Sequence, residues 1–370
     1  MTERSRNLDL IRVVAIFFVL SSHFLLRNGF YDELVAGKRM YVMVAMRYLF
    51  MSCVPLFLLL TGYLNGDKRP EKAYFRKLGH TIVLYIMASV VCLLCRRLYH
   101  HEEITFFGGL LSILNYTASS YGWYVEMYVG LFLMLPFLNM MFNGLNNKRQ
   151  QQLLLIVLIF VTSAASIFNV LDITQRNFLE MHTSTSYTKL VPDFWIGLYP
   201  IQYYMIGRYI RVYGFPWKPG KTLFAIIAAT GVFSTYNYIR KYQQLLSFFS
   251  PWLGRSSIQN LIISVLLFGF LLNLRLDSVP DMLAAVVRRV SKLSFLIYLI
   301  SSASDSVVYP YLWLWVPNMT DRLNYYLPTV GVSFLLALIG AQLVMWLYSG
   351  GSYLICRSIK ERQNTHETTR

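Results

Sequence analysis

Charge is what this 370-residue chain has least of. Asp, Glu, Lys and Arg together make up 14% of it. Soluble globular proteins average about 25%, so there is too little charge here to clothe a water-facing surface. Cysteine is also sparse, at four residues. Cys92 and Cys95 lie within the apolar run TIVLYIMASVVCLLC, where free Cys behaves as a small buried hydrophobe. No His stands close enough in sequence to make a zinc site with them, and no metal is expected. Internal repeats and Gly/Ser- or Pro-rich linkers are missing, which leaves a single membrane domain over 1–350 and a short polar tail over 351–370. The first apolar run is too long for a secretory leader and lacks a small-residue cleavage site, so it reads as a retained span.

Apolar length is what the chain does have. Hydrophobic residues are 56% and aromatic residues 16%. Continuous runs of about 20 residues are enough to cross a bilayer core. Their continuity excludes a membrane β-barrel, whose strands alternate. The expected fold is all-α, a polytopic membrane helical bundle of about ten transmembrane helices, at 8–26, 42–64, 78–96, 121–142, 152–171, 192–212, 222–239, 258–275, 291–312 and 327–349. The net charge of +16 raises the question of nucleic acid. The basic residues are instead scattered in short loop clusters, which act as topology signals and sit well against anionic lipid. Loops on the N-terminal side hold twice as many Lys and Arg as those opposite, which puts both termini in the cytoplasm. The sequons at Asn115 and Asn318 carry meaning only in a glycosylating host.

The first span, LDLIRVVAIFFVLSSHF, poses the sharpest question, because it keeps Asp9, Arg12 and His23. Arg12 and His23 are eleven residues apart, about three helical turns, so they share a face at ~16 Å along the axis. Asp9 joins that face, and Ile16 and Val19 continue it. Taken alone, Arg12 reads equally well as a snorkelling residue and His23 as an interfacial one. Their shared face makes the pair more informative than either residue, since ionisable groups inside a membrane tend to be functional.

The Arg-to-His spacing in this first span resembles the signature of the acyltransferase 3 family. CVPLFLLLTGYL (Cys53–Leu64) is similar to that family's second-span element, with Thr61 and Leu58 in place of its Ser and second Phe. YGWYVEMYVGLFLMLPFLN, with Trp123 and Tyr124, resembles its Trp-Tyr span, and YPIQYYMIGRYI a later Gly-containing one. LSFLIYLIS resembles a late element in which many members carry His where Ser301 stands here. The resemblance implies an integral membrane enzyme of a bacterial plasma (inner) membrane. Such an enzyme would take acetyl or another acyl group from acyl-CoA and place it on a hydroxyl of a cell-surface polysaccharide or its lipid-linked precursor. No appended hydrolase-like domain follows, so transfer is completed by this chain or passed to a separate protein. The reading leaves room for a homodimer.

Depth along the spans sets His23, Arg47, Glu126 and Asp305 at a comparable level in the outer part of the membrane, which favours a shared polar cavity. A structural Arg47–Glu126 ion pair is the plainer alternative. Acyl transfer from a thioester needs a base near neutral pKa, and His23 is the only His of six deep in a span. Glu126 or Asp305 would orient it, and Arg47 or the Tyr124 hydroxyl would meet the oxyanion. Trp123 and Tyr124 are candidate substrate contacts. Arg12, with Arg76 and Lys77, would hold the phosphates of cytoplasmic acyl-CoA. Direct transfer and a route through an acylated His23, Ser301 or Ser302 stay open. Two further readings compete, a transporter or flippase of a lipid-linked sugar or acyl donor and a binding protein on a degenerate scaffold.

Overall fold

The computed structural model describes residues 5–169, 189–246 and 254–367, with side chains to residue 350. His182 and the end of the expected 152–171 span lie outside these residues. The described residues contain helices and no strand; the strand-like pairings among them are the isolated bridges of Leu34 with Leu245 and Val35 with Tyr242. The helices are α1 (Arg6–Arg27), α2 (Gly37–Phe50), α3 (Cys53–Asn65), α4 (Lys72–Leu98), α5 (Phe106–Leu114), α6 (Trp123–Asn143), α7 (Lys148–Ser163) and α8 (Ala165–Phe168). They continue as α9 (Tyr199–Tyr213), α10 (Pro219–Arg240), α11 (Ile258–Leu272), α12 (Asp281–Trp315) and α13 (Tyr326–Glu367). Each expected span coincides with at least one helix. Among the described residues, six helical segments are long and apolar enough to cross a membrane, including Arg6–Arg27, Lys72–Leu98 and Met319–Gly350. The chain is thus a multi-pass membrane protein. The 351–370 segment, expected as a separate polar tail, continues α13 as far as Glu367.

The second expected span, 42–64, is two helices. The chain turns at Met51–Ser52, and Pro55 follows within the first turn of α3. Proline supplies no N–H to the carbonyl four residues back and crowds it, so α2 cannot run on into α3. The Ser52 hydroxyl donates to the Leu49 carbonyl at the break. Pro136 opens a similar gap in α6 by removing the N–H that Phe132 O would accept. Tyr74 of α4 fills it, its hydroxyl donating to Phe132 O at 2.7 Å while its ring stacks on Phe132 at 4.3 Å. One expected loop holds the short apolar helix α5, capped by Thr105 and exposing Phe106 and Phe107. Nine residues cannot span a bilayer, and an apolar face this open suits an interfacial position.

α12 is the central element, packed on α13, α1 and α4. The second main contact is α3 on α9, made through glycine on both helices. A Cβ at Gly62 would lie 1.9 Å from Tyr204 O, and one at Gly207 would lie 2.0 Å from Leu59 O. Close backbone approach through small residues is how helices associate where lipid offers no hydrophobic drive. The open end of α3 is closed by side chains. Asn139 Nδ2 donates to the carbonyls of Asn65 at 2.8 Å and Lys68 at 2.9 Å, and Asn139 Oδ1 accepts from Tyr204. Asn139→Ala strands the buried Tyr204 hydroxyl, at about 1–3 kcal/mol, and leaves the part-buried carbonyls of Asn65 and Lys68 to water at a smaller cost. We expect a lowered unfolding midpoint in detergent, read by scanning fluorimetry; an unchanged midpoint would deny Asn139 this capping role.

Candidate functional site

The site grows from the far end of α1. There His23 is buried and faces Asp305, which α12 presents with no exposed surface. A carboxylate that deep is tolerable only when hydrogen-bonded. Asp305 Oδ2 accepts from the Tyr121 hydroxyl at 2.8 Å, and Oδ1 accepts from Ser333 of α13, which in turn meets Ser304 at 2.9 Å. His23 Nδ1 lies 3.1 Å from Asp305 Oδ2. Its alignment falls short of a hydrogen bond, the loose geometry common before substrate tightens a site. The Tyr121 ring stacks on the imidazole at 3.6 Å with 19° between planes, which fixes the ring's orientation.

Tyr121 belongs to the loop between α5 and α6, and α12 clamps that loop. Tyr298 donates to Tyr121 O at 2.6 Å, Ser119 donates to Leu299 O at 3.2 Å, and the Ser120 amide donates to Ser302 Oγ at 3.0 Å. Gly122 lets the loop close, since a Cβ there would lie 2.1 Å from Tyr116 O. Ser301 donates to Tyr298 O and is fully buried.

Two cavities flank this cluster along α1 and share no lining residue; His23, Tyr121 and Asp305 line neither, and Tyr298 on one side and Arg27 on the other are their links to them. The first, of about 340 Å³, has Arg12, Lys292 and His80 at one end and Tyr124 and Tyr298 at the other. The Tyr298 ring centre is 6.5 Å from that of His23. Arg12 pairs with Asp9 at 3.5 Å, and Asp9 accepts from Ser291 of α12 at 2.6 Å. The second cavity, of about 420 Å³, lies beyond His23 and includes Arg27 and Ser302.

The structure brings His23 and Asp305 together and sets Arg12 and Tyr124 along one cavity. It does not bring Glu126 or Arg47 to them. Glu126 is exposed on the first turn of α6. Arg47 is buried in the last turn of α2, with Nε donating to the Tyr31 hydroxyl at 3.0 Å. Counting along a span gives depth but not direction, and the break at Met51–Ser52 makes α2 a separate helix from α3. The alternative, an Arg47–Glu126 ion pair, is absent among the described residues. Arg76 and Lys77 are exposed on α4, one turn before His80 and Thr81, which do line the first cavity. Trp123 is half-buried beneath the Arg255 guanidinium, 4.2 Å from its ring centre. Arg255 is near enough to act electrostatically on His23 and Tyr298.

Sequence reasoning missed Tyr121, Arg27, Lys292 and Arg255. Only a shared helix face could have marked one of them: Arg27 is one turn beyond His23.

A family described as an acyltransferase domain, Acyl_transf_3, has a model that matches residues 5–346. No curated protein and no solved structure matches the chain. A match over nearly the whole chain, on an all-helical membrane fold, settles the assignment: the chain belongs to the acyltransferase 3 family and is a membrane acyltransferase.

Proposed function

We propose that the protein is an O-acetyltransferase of the plasma membrane that moves acetyl from cytoplasmic acetyl-CoA to a hydroxyl of a cell-surface carbohydrate. The observation that supports this reading best is the buried His23–Asp305 pair set between two separate cavities, one for each substrate. Arg12 and Lys292 at the mouth of the first cavity suit the phosphates of CoA. The slot between them and Tyr298 suits the thin pantetheine arm, which would bring the thioester toward His23.

The chemistry follows from the atoms. Asp305 faces Nδ1 of His23 and so favours the tautomer with its proton there. That leaves Nε2 free to take the proton of the acceptor hydroxyl as its oxygen attacks the thioester carbonyl. The buried carboxylate stabilises the imidazolium that forms. Arg255 is our choice for stabilising the negative charge on the tetrahedral oxygen. The C–S bond then breaks, the thiolate takes the proton from Nε2, and the acetyl ester and free CoA leave by opposite sides.

The test is CoA release from acetyl-CoA by the purified chain in detergent, with and without carbohydrate acceptors. Release above that of His23→Ala is expected; none with any acceptor would overturn the reading. Arg12→Ala is expected to raise the KM for acetyl-CoA about tenfold or more, the loss of one charge-assisted phosphate contact, with a smaller change in kcat. An unchanged KM would remove Arg12 from donor binding.

A further inference from the structure

The second cavity has a chemistry of its own. Its lining includes Arg27, Arg96, His100, Ser120, Ser302 and Ser306. Two of its charged groups are occupied with each other. Arg96 meets Glu102 Oε2 through Nε at 2.8 Å and through a terminal nitrogen at 2.6 Å. The guanidinium holds the Glu102 carboxyl below its ordinary range, so both stay ionised. His100 Nε2 is 2.9 Å from Ser306 Oγ. Arg27 differs. Its Nε donates to the Tyr121 hydroxyl at 3.2 Å, and its terminal nitrogens make no hydrogen bond to any described residue. Arg27 meets Asp305 through Tyr121, whose hydroxyl accepts from Arg27 Nε and donates to Asp305 Oδ2.

We infer that this cavity is the acceptor subsite and that it selects a sugar bearing a carboxylate, held by the open fork of Arg27 beside the hydroxyl that His23 deprotonates. The inference rests on the acetyl-transfer reading. Arg27 is one turn from His23 on α1, ~6 Å along the axis. A carboxylate on Arg27 and a hydroxyl at His23 are thus about one sugar ring apart, as in a uronic acid acylated on its own ring. The planar two-oxygen group matches the guanidinium fork, which a neutral sugar's scattered hydroxyls do not. Ser120, Ser302, Ser306 and Thr117 supply hydroxyls for the rest of the ring. Through Tyr121, the anion on Arg27 is also linked to Asp305 and hence to the base.

Cys95 lines the same cavity, which gives a readout independent of turnover. The intact chain in detergent is treated with N-ethylmaleimide, and labelling of Cys95 is followed by peptide mass spectrometry in the presence of methyl β-glucuronide or methyl β-glucoside. The glucuronide is expected to halve the labelling rate at about one-tenth the concentration the glucoside needs. Raised salt should shrink that preference in the wild type. Arg27→Gln should abolish it, and Arg27→Lys should keep only part, since it restores the charge without the fork. Equal protection by the two glycosides, protection by neither, or a preference that survives Arg27→Gln or high salt would overturn the inference. Failure of the acetyl-transfer reading registers separately, as absent CoA release in a protein whose Cys95 is still protected.

Discussion

His23→Ala should lower kcat for acetyl transfer about 100- to 10,000-fold, the range associated with loss of a positioned general base. The unfolding midpoint should move little, because the imidazole is held by few contacts: the stacked Tyr121 ring, the tilted Tyr298 ring at 6.5 Å and the loosely aligned Asp305. Asp305→Asn should cost a similar factor for a different reason. The amide keeps the shape but loses the charge that stabilises the imidazolium and turns a donor toward groups that now donate to Asp305. Its stability should also fall, since Tyr121 and Ser333 both rely on the acceptor oxygens. The two variants separate on that second readout. CoA release and acetyl incorporation, measured with matched folded fractions, check the first claim. Activity within threefold of wild type in His23→Ala would remove the base from the mechanism.

Gly207→Val should do severe damage to the fold at the α3–α9 contact. The new Cβ would start 2.0 Å from Leu59 O and 2.8 Å from Leu59 C, both backbone atoms that no rotamer change can move. The helices would have to part. Overpacking commonly costs about 1–3 kcal/mol, and more when backbone must shift. Separation would also pull Tyr204 from Asn139 and Arg208 from Asp67 and Asn143, which together close the end of α3. Gly62→Val attacks the same contact from the other helix and should behave alike. Gly231→Ala on α10 is the contrast, because nothing lies within 4 Å of its Cβ. That change should be neutral or slightly stabilising, by up to about 1 kcal/mol of helix propensity. Monodisperse yield and unfolding midpoint in detergent give the comparison. Equal behaviour of Gly207→Val and Gly231→Ala would show that α3 and α9 adjust without cost.

The legible part of the site lay along single helices. Arg12, Val19 and His23 share a face of α1 by helical period alone, and Arg12 and Val19 do line one cavity. Asp305 was legible by depth along the expected ninth span. Glu126 and Arg47 met the same criterion but are placed elsewhere, because depth is one coordinate and a shared cavity needs direction as well. Tyr121 carried no signal, since a Tyr in a Ser-rich loop looks like any other until α12 clamps the loop against His23. The glycines at Gly62 and Gly207 stood inside family-like motifs, yet their reason, a mutual backbone contact, appears only once the helices are laid side by side.

Composition and periodicity by themselves determined that this chain is an all-helical membrane protein, where its main helices run, and that Arg12 and His23 face the same way. These are local properties, set by transfer of apolar surface and by the 3.6-residue turn. Tertiary structure alone decided which carboxylate meets the histidine, that Tyr121 and Arg27 join it, and that the cluster stands between two cavities. Those outcomes depend on the rotation of each helix about its own axis and on loop closure. Both arise from contacts between residues far apart in the chain, which no local pattern encodes.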